Sequence, residues 1–545
     1  MCAILQPHRS SKFGRGRERH RAVAGTRRGA VRRRDPPVDE AFLGSRRGAA
    51  RSIRLRARLG ARPRRAVSVG AMTSIVLFTN DLRLADNPAL AAAIAAGPVV
   101  PLAVDDPREH GAWPLGSAAR AWRALSLASL ARSLEERGAW LAYRAGDAAE
   151  HAAAIARETD ARAVHAAAAI EPDRAAWQRR LREALAREGV ALVAHAPNLL
   201  HEPEALLTQA GRPHTVFTPF FRALVSRVAF AAPLPAPARI AVPAKRPASM
   251  PLPEPAGAPP ALLDAFAQGE AGALAAADRF FSELVATYED LRDVPSVEGT
   301  SRLSPHLAHG EISVRELARR AERVARESAD PRAVFGAQAF LRQLAWREFA
   351  YHLLHHVPHT PSRPLKPEFE RFWWERDEHV LRAWRQGLTG YPLVDAGLRE
   401  LAATGWMHNR VRMVVASLLT KDLMQPWADG AVWFWERLVD ADLANNTLGW
   451  QWVAGCGADA QPFFRVFNPV TQSRRFDPDG AYVRRWVPEL ARVPSRWIHA
   501  PWVAPPHELE AAGVRLGETY PLPLVDHAVA RARAIEAFRA LRSSM

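Results

Sequence analysis

Residues 406–413, Trp-Met-His-Asn-Arg-Val-Arg-Met, place polar groups among apolar ones at a spacing that suits a helix. On a helix, Trp406, Asn409, Arg410 and Met413 fall at i, i+3, i+4 and i+7 and share one face. An ordinary core face would be apolar at all four positions, because a buried amide or guanidinium needs a partner. The segment therefore either meets a polar ligand or forms a rim helix with its polar side chains in water.

A second segment, residues 440–452, combines two carboxylates, two amides and two indoles. Asp440 and Asp442 suggest calcium, but the sixth position of that loop is an asparagine where calcium loops require glycine. Carboxylates and amides beside Trp450 and Trp452 suit a heteroaromatic ligand, which offers rings for stacking and edges for hydrogen bonds. The alternative is a capped helix start that is followed by core tryptophans.

Two further patterns concern phosphate and metal sites. Residues 299–305, Gly-Thr-Ser-Arg-Leu-Ser-Pro, offer hydroxyls and a guanidinium before a helix, which suits either a phosphate site or plain capping. His352, His355 and His356 could meet on one helix, but no matching cysteine or carboxylate set accompanies them, so we predict no metal. Phosphate loops of the G-K-[ST] type are absent from the sequence.

The elements that position these residues follow from apolar patterning. Strand-like runs at 74–80, 99–105, 139–145, 163–170 and 191–196 alternate with Ala-rich helical stretches, which predicts a parallel five-stranded sheet of the Rossmann-like α/β class. Residues 233–260 contain ten prolines and are predicted to be a linker outside any packed element. After them strand signals fade, and helical spacing at 337–356, 393–403 and 406–423 predicts an all-α domain.

Composition limits the function classes. Most of the 17 tryptophans lie after residue 340, and Cys2 and Cys456 are the only cysteines, which excludes a disulfide framework or an iron–sulfur site within the chain. No apolar run is long enough for a membrane span. Nearly all of the net charge of +17 lies in residues 1–71, which we expect to be a disordered basic extension. The true start is expected at Met72, with a basic tail or a transit peptide as the alternatives.

From these patterns we predict an α/β domain at 72–200, a Pro-rich connector at 201–275, a helical domain at 276–535 and a tail at 536–545. Seven motifs in order, spread over about residues 74 to 530, resemble those of the photolyase/cryptochrome family. They are Phe78–Asn87, Val216–Phe220, Gly299–Pro305, Trp346–Phe349, Thr389–Pro392, Trp406–Met413 and Asp440–Pro469.

The resemblance implies an α/β antenna domain and an all-α domain that binds FAD. It implies light-dependent DNA repair, in which excited reduced FAD splits cyclobutane pyrimidine dimers by electron transfer, within the class III branch. A cryptochrome-like photoreceptor and a (6-4) photolyase are the alternatives. The residues that the resemblance assigns to FAD are Tyr288, Thr300, Ser301, Arg302, Leu303, Ser304, Arg347, Asp440, Asp442 and Asn446.

By the same resemblance, Trp346, Asn409, Met413, Trp452 and Gln343 meet the flipped-out dimer, and base stacking on the two indoles helps offset its unstacking. An electron-transfer chain of Trp384, Trp427 and Trp450 leads to the flavin. DNA phosphates are expected at Arg410, Arg412 and Lys421.

The antenna ligand implied by the resemblance is 5,10-methenyltetrahydrofolate, held by Glu171, with a deazaflavin or no antenna as alternatives. Damaged DNA is the expected partner of a cytoplasmic monomer. Two positions depart from the family pattern. Gln343 stands where dimer-splitting members usually carry Glu, and it cannot supply a proton, so the lesion remains open. Thr79 stands where the family usually has Arg.

Overall fold

A parallel five-stranded sheet in the order β3-β2-β1-β4-β5 carries the amino-terminal part, as the sequence predicts. The computed structural model describes residues 72–459 and 465–543, which belong to one compact unit. The expectations for residues 1–71 lie outside the described residues. The strands are β1 (Ser74–Phe78), β2 (Val99–Asp105), β3 (Ala142–Ala145), β4 (Ala163–Ala167) and β5 (Ala191–His195).

The sheet forms because its central strands are apolar on both faces. In β1, Ile75 and Leu77 pack into one core while Val76 and Phe78 pack into another. The second core is covered by α1 (Pro88–Ala96) and α2 (Ser117–Glu135), and the first by α3 (Ala148–Thr159) and α4 (Pro172–Arg187). Burial on both faces makes the register of β1 strongly specified.

The ends of four predicted strands are wrong by one to three residues. Strand β1 stops at Phe78 because the side chain of Asp81 accepts the Thr79 N–H at 2.9 Å and turns the chain out of the sheet. Strand β3 begins only at Ala142, β4 ends at Ala167 and β5 ends at His195. Residues released at the ends of β1 and β4 line a cavity at the carboxyl edge of the sheet.

The Pro-rich segment 233–260 contains no helix or strand, but the prediction that it lies outside the packed structure is wrong. Ile240 is buried in the core above β1, and its N–H donates to the carbonyl of Arg137 at 2.9 Å. The N–H of Met250 donates to the carbonyl of Tyr143 at 3.0 Å. Prolines prevent regular ladders, yet the few remaining N–H groups and apolar side chains fix the segment on the α/β part.

Helices make up the rest of the described chain, together with single turns such as Ser304–Ala308. Among the described residues, none of the helices is both long enough and apolar enough to cross a bilayer. The longer helices are α5 (Phe217–Arg227), α6 (Gly269–Arg279), α7 (Val314–Glu327), α8 (Pro331–His356), α9 (Glu378–Arg385), α10 (Pro392–Thr404), α11 (Asn409–Ser417), α12 (Trp427–Arg437), α13 (Leu443–Ala454), α14 (Pro469–Phe476), α15 (Ala481–Trp486), α16 (Pro506–Ala512) and α17 (His527–Ser543).

The single helix predicted over 406–423 is wrong at both ends. Helix α11 begins at Asn409, because the ring of His408 accepts the Arg410 N–H and caps it. Trp406 therefore precedes the helix and does not share its face. Past Ser417 the chain continues as a π-helical turn, Leu418–Asp422. Such turns break the 3.6-residue period, so positions beyond them rotate away from the face expected for a regular helix.

Gly310 is one point at which the α/β part meets the helices. Its φ is +69°, and a Cβ there would lie 1.9 Å from the carbonyl oxygen of Asn80. The Arg83 side chain donates to the Gly310 carbonyl at 3.0 Å. Only glycine lets the backbone after Ser304–Ala308 approach the end of β1 so closely.

Replacing Gly310 with alanine can distinguish the cost of the steric clash with Asn80 from the cost of the left-handed backbone conformation. We expect Gly310→Ala to lower the free energy of unfolding by clearly more than the roughly 1–2 kcal/mol that a left-handed alanine costs. The matched control is Gly513→Ala, whose φ is +76° but whose Cβ would meet nothing within 4 Å. Urea unfolding followed by circular dichroism measures both. Equal losses in the two variants would contradict the close approach.

Candidate functional site

A pocket with about 900 Å³ of empty space, part of it open to solvent, lies among the helices. We call it the helical pocket. It brings together the phosphate-type turn, the start of α11 and the acidic segment before α13, three regions that are far apart in sequence. Its lining includes the predicted residues Tyr288, Thr300, Ser301, Arg302, Leu303, Ser304, Gln343, Arg347, Asn409, Arg412, Asp440 and Asp442, and also Asn445.

A buried ion pair in the wall of the helical pocket joins α11 to the segment before α13. One guanidinium nitrogen of Arg412 on α11 lies 2.9 Å and 3.1 Å from the two carboxylate oxygens of Asp440. Its Nε donates to the Met407 carbonyl at 2.7 Å, and both side chains are almost fully buried. Burial alone would raise the pKa of Asp440, but Arg412 offsets this and the pKa is lowered. The carboxylate therefore stays charged beside the pocket.

The turn at residues 300–304 holds a strained arginine. Arg302 has a φ of +52°, which non-glycine residues rarely adopt. Its guanidinium lies between the rings of Phe266 and Trp406, at 4.7 Å and 4.5 Å, and its Nε is buried without a hydrogen-bond partner. The Trp406 indole donates to Ser304 at 3.2 Å. Hydroxyls and a partly unpaired cation at one turn suit an anionic phosphate group.

Two buried amides also have oxygens without partners. Asn446 on α13 donates to the Ala431 carbonyl at 2.9 Å, while its Oδ1 accepts nothing. Asn446 is not among the residues that line the helical pocket, so its contact with a flavin stays a prediction. The Oδ1 of Asn409, at the pocket wall, is likewise unpaired. Buried acceptors without donors are rare in folded proteins and call for a ligand. Amide acceptors, a phosphate-type turn and a largely apolar lining together fit the groups of FAD.

A second cavity, with about 460 Å³ of empty space, lies at the carboxyl edge of the sheet, where β1 and β4 meet. We call it the sheet-edge cavity. Glu171, the residue before α4, and Arg174 on α4 line it, as do Arg347 and Tyr351 on α8. Burial raises the pKa of Glu171 to about 7, although Arg174 opposes that rise. Sequence reasoning missed Arg174 and Tyr351; Tyr351 could have been found as the helical i+4 neighbour of Arg347.

The predicted lesion residues are only partly gathered at the helical pocket. Gln343 and Asn409 line it, but Trp346, Trp452 and Met413 do not. One face of the Trp346 ring is stacked on Phe217 with centroids 3.5 Å apart, which leaves the ring 2% exposed. The indole N–H groups of both tryptophans are buried and unpaired. Their contact with a lesion stays a prediction.

Two of the three tryptophans predicted to transfer electrons lie close to each other, and the role of all three stays a prediction. Trp384 and Trp450 are fully buried with ring centroids 6.3 Å apart, whereas Trp427 makes no ring contact with either of these described residues. Trp433, which sequence reasoning missed, lies 5.1 Å from Trp384. Gly430 makes room for the Trp450 ring, because a Cβ there would lie 2.2 Å from it.

Two predicted DNA contacts are wrong. Lys421 is 1% exposed, its ammonium donates to the Ala454 carbonyl, and burial lowers its pKa well below the ordinary value. Arg412 is the buried partner of Asp440. Their charge in the sequence suggests DNA contacts, but charge does not reveal burial. Neither side chain can reach a DNA backbone in this arrangement.

Arg410 is half-buried and belongs to a different arrangement, which we call the arginine cluster and which comprises Arg410, Arg465 and Arg475. The guanidiniums of Arg410 and Arg475 lie 4.4 Å and 5.1 Å from the Phe476 ring. Burial, together with the two neighbouring cations, lowers the pKa of Arg465. Arg410 pairs with Asp293 at 2.6 Å. Of the three guanidiniums only that of Arg410 has a carboxylate partner among the described residues, which leaves positive charge for an outside anion.

The three histidines of α8 lie together, with the His356 ring 4.6 Å from that of His352 and 5.0 Å from that of His355, but each has a different polar partner. His352 accepts the His214 N–H at 3.0 Å, His355 pairs with Glu204, and His356 bonds to the Pro203 carbonyl. Within 72–459 and 465–543, His, Cys, Asp and Glu side chains nowhere group in threes that could hold a metal ion.

Comparison with known proteins gives consistent matches. The DNA photolyase model matches residues 74–238, and the model for the FAD binding domain of DNA photolyase matches residues 340–540. A deoxyribodipyrimidine photo-lyase of Agrobacterium fabrum is 43% identical, covering 86% of this chain and 98% of that protein. Cryptochrome-1 of Arabidopsis thaliana is 38% identical over 85% of this chain and 70% of its own. The crystal structure of a class III photolyase from Agrobacterium tumefaciens superposes with a TM-score of 0.82 at 42% identity, covering 88% and 99% of the two chains.

The buried ion pair of Arg412 and Asp440 should make a large contribution to stability. Arg412→Met should lower the free energy of unfolding by roughly 3–5 kcal/mol, because it leaves the Asp440 carboxylate buried without a counter-charge. The control is Arg157→Met, which breaks an exposed pair with Glu188 at 2.6 Å and should cost about 1 kcal/mol or less. Chemical denaturation of both variants measures the difference. Similar losses of unfolding free energy in the two variants would contradict the burial of the Arg412–Asp440 pair.

The raised pKa of Glu171 should make the stability of the protein depend on pH. Since its pKa in the folded protein is about 7, against an ordinary value of 4.5, the folded state holds the proton more tightly than the unfolded state. Relative to Glu171→Gln, the wild type should therefore lose stability as pH rises from 4.5 to 7, by on the order of 3 kcal/mol. The difference should be constant below and above that window. Denaturant titrations at several pH values test it, and a flat difference would contradict the burial.

Proposed function

As its motifs predict, the chain belongs to the DNA photolyase family, and from that premise we propose that it splits cyclobutane pyrimidine dimers in blue light. The activity is that of a deoxyribodipyrimidine photo-lyase, a carbon–carbon lyase. The observation that carries the proposal is the helical pocket, in which the unpartnered Oδ1 of Asn409 and the paired carboxylate of Asp440 line a space suited to FAD.

The binding of FAD is divided between two groups of residues that line the helical pocket. Thr300, Ser301 and Ser304 present hydroxyls, and Arg302 a cation, to the pyrophosphate. Tyr288 and Leu303 complete this wall. Across the pocket, Arg347, Asp440 and Asp442 bond the ring or ribose, with Arg412 holding Asp440 in place. The unpaired Oδ1 of Asn446 accepts a hydrogen bond from the flavin and helps to hold it reduced.

When bound in its reduced form and excited by light, FAD supplies the electron that opens the dimer ring and recovers it afterwards. The protein's own residues position the lesion. Gln343 and Asn409, which line the helical pocket, offer amide donors and acceptors to the pyrimidine edges. Trp346, Trp452 and Met413 do not line it, and they are proposed as apolar contacts of the lesion from the family resemblance alone. Trp450 and Trp384, extended by Trp433, give an aromatic path for restoring the reduced state. Trp427, the first residue of α12, is the remaining tryptophan predicted for this path.

Damaged DNA is held by the arginine cluster, with Arg410 next in sequence to the pocket residue Asn409. Exposed Arg465 and Arg475 present charge that no described carboxylate neutralises at contact distance, and phosphates supply the missing anions. We propose these residues, rather than Arg412 and Lys421, as the contacts to DNA phosphates.

The sheet-edge cavity holds the antenna. A pterin such as that of 5,10-methenyltetrahydrofolate presents N–H donors along one edge, and the Glu171 carboxyl faces the cavity as their acceptor. Tyr351 offers a ring at the same cavity. We further propose that the enzyme works as a monomer in the cytoplasm, as bacterial DNA is reached there.

The repair reaction tests the function directly. The purified full chain, loaded with FAD and reduced anaerobically, is mixed with an oligonucleotide that carries one thymine dimer and is illuminated or kept dark. We expect restored thymines, seen as regained absorbance at about 260 nm, only in the light. Conversion of a (6-4) product instead would assign the alternative lesion, for which Gln343 argues, and conversion of neither would favour a light sensor.

The DNA contact predicts a change in salt dependence. The double variant Arg465→Gln/Arg475→Gln should bind dimer-containing duplex more weakly and lower the slope of log affinity against log salt by about 1 to 2, because two phosphate contacts are lost. The control, Arg179→Gln/Arg180→Gln, removes two exposed arginines of α4 on the α/β part. Fluorescence anisotropy at several salt concentrations measures the slopes. An unchanged slope in the first variant would refute the contact.

A further inference from the structure

The helical pocket and the sheet-edge cavity share a wall. Leu307, Ala308 and Arg347 line both of them. One turn further along α8, Tyr351 lines the sheet-edge cavity only. Since residues at i and i+4 lie on one helical face, Arg347 and Tyr351 form a continuous strip between the two spaces.

The Tyr351 side chain contacts a residue that lines the helical pocket. Its hydroxyl donates to one carboxylate oxygen of Asp442 at 2.8 Å, and Asp442 lines the helical pocket. The second carboxylate oxygen accepts the Asn445 N–H at 2.9 Å and caps α13. Burial raises the pKa of Tyr351 well above its ordinary value, so the phenol keeps its proton and acts as a donor. Asp442 thus has one bond from its own helix and one from across the wall.

Buried charged side chains on the sheet-edge side of the wall interact electrostatically with the Asp442 carboxylate. Glu171 is 6% exposed, and Arg174 lies 3.8 Å from it while making a closer pair with Glu109 at 2.8 Å. The negative charge of Asp442 is among the influences that raise the pKa of Glu171. The Arg347 guanidinium stacks on the Tyr351 ring at 4.8 Å. In a buried region of low dielectric, charges as close as those of Glu171 and Arg174 interact strongly.

We propose that Tyr351 is a positioning residue that couples the two cavities, so that a planar heteroaromatic ligand in the sheet-edge cavity changes the affinity of the helical pocket for FAD. A ligand that bonds Glu171 or covers the Tyr351 ring shifts the Tyr351 hydroxyl, and with it the Asp442 carboxylate. By thermodynamic linkage, FAD must change the affinity for that ligand by the same factor. The coupling rests on the proposed function, because it takes FAD and a pterin-like antenna as the two ligands.

The experiment measures that factor. The full chain is freed of FAD, and the dissociation constant for FAD is determined by flavin fluorescence with and without saturating 5,10-methenyltetrahydrofolate. In the wild type we expect the two constants to differ by about fivefold or more. The reverse titration, folate with and without FAD, should give the same factor. Tyr351→Phe should bring the factor close to one while still binding both ligands.

The matched control is Tyr520→Phe, which removes another buried phenol that donates to a carboxylate, Asp395, at 2.6 Å but lines neither cavity. It should keep the wild-type factor. A wild-type factor of one, a failure of folate to bind, or an unchanged factor in Tyr351→Phe would each overturn the proposal. Repair by direct excitation of FAD without folate, measured on the same preparations, separates failure of the coupling from failure of the photolyase activity.

Discussion

The buried pair of Arg412 and Asp440 is the interaction on which the site depends. Two charges removed from water are stable only when they meet each other and when their remaining donors and acceptors are bonded. Arg412 satisfies this requirement by bonding both Asp440 and the Met407 carbonyl, which fixes the start of α11 against the segment before α13. The opening between these two elements is the helical pocket. Without the pair, apolar side chains would be expected to collapse into that space.

The position of the site follows from how the α/β part meets the helices. The turn after β1 and the backbone at Gly310 approach so closely that no side chain fits between them. This contact brings the carboxyl edge of the sheet, where ligands of such sheets bind, against the wall of the helical pocket. The helical pocket and the sheet-edge cavity therefore share a wall, which is formed by α8 and the turn Ser304–Ala308.

Much of this arrangement is encoded locally. Apolar runs predict the five strands, and the family motifs predict the pocket residues from Tyr288 to Asp442 that the structure gathers. What the sequence could not reveal depends on tertiary burial. Lys421 has the charge of a DNA contact, but its place in a π-helical turn carries it inward. Trp433 and Tyr351 belong to no recognised motif, and their neighbours are known only once α8, α9, α12 and α13 are packed.

The most direct test of the account is an electron-density map of the full chain crystallised after purification with FAD. The account predicts density for one FAD molecule in the helical pocket, with its pyrophosphate at residues 300–304 and a hydrogen bond from the flavin ring to the Oδ1 of Asn446. Density for FAD only in the sheet-edge cavity, or a map in which Arg412 and Asp440 are apart and the pocket is filled by side chains, would contradict it.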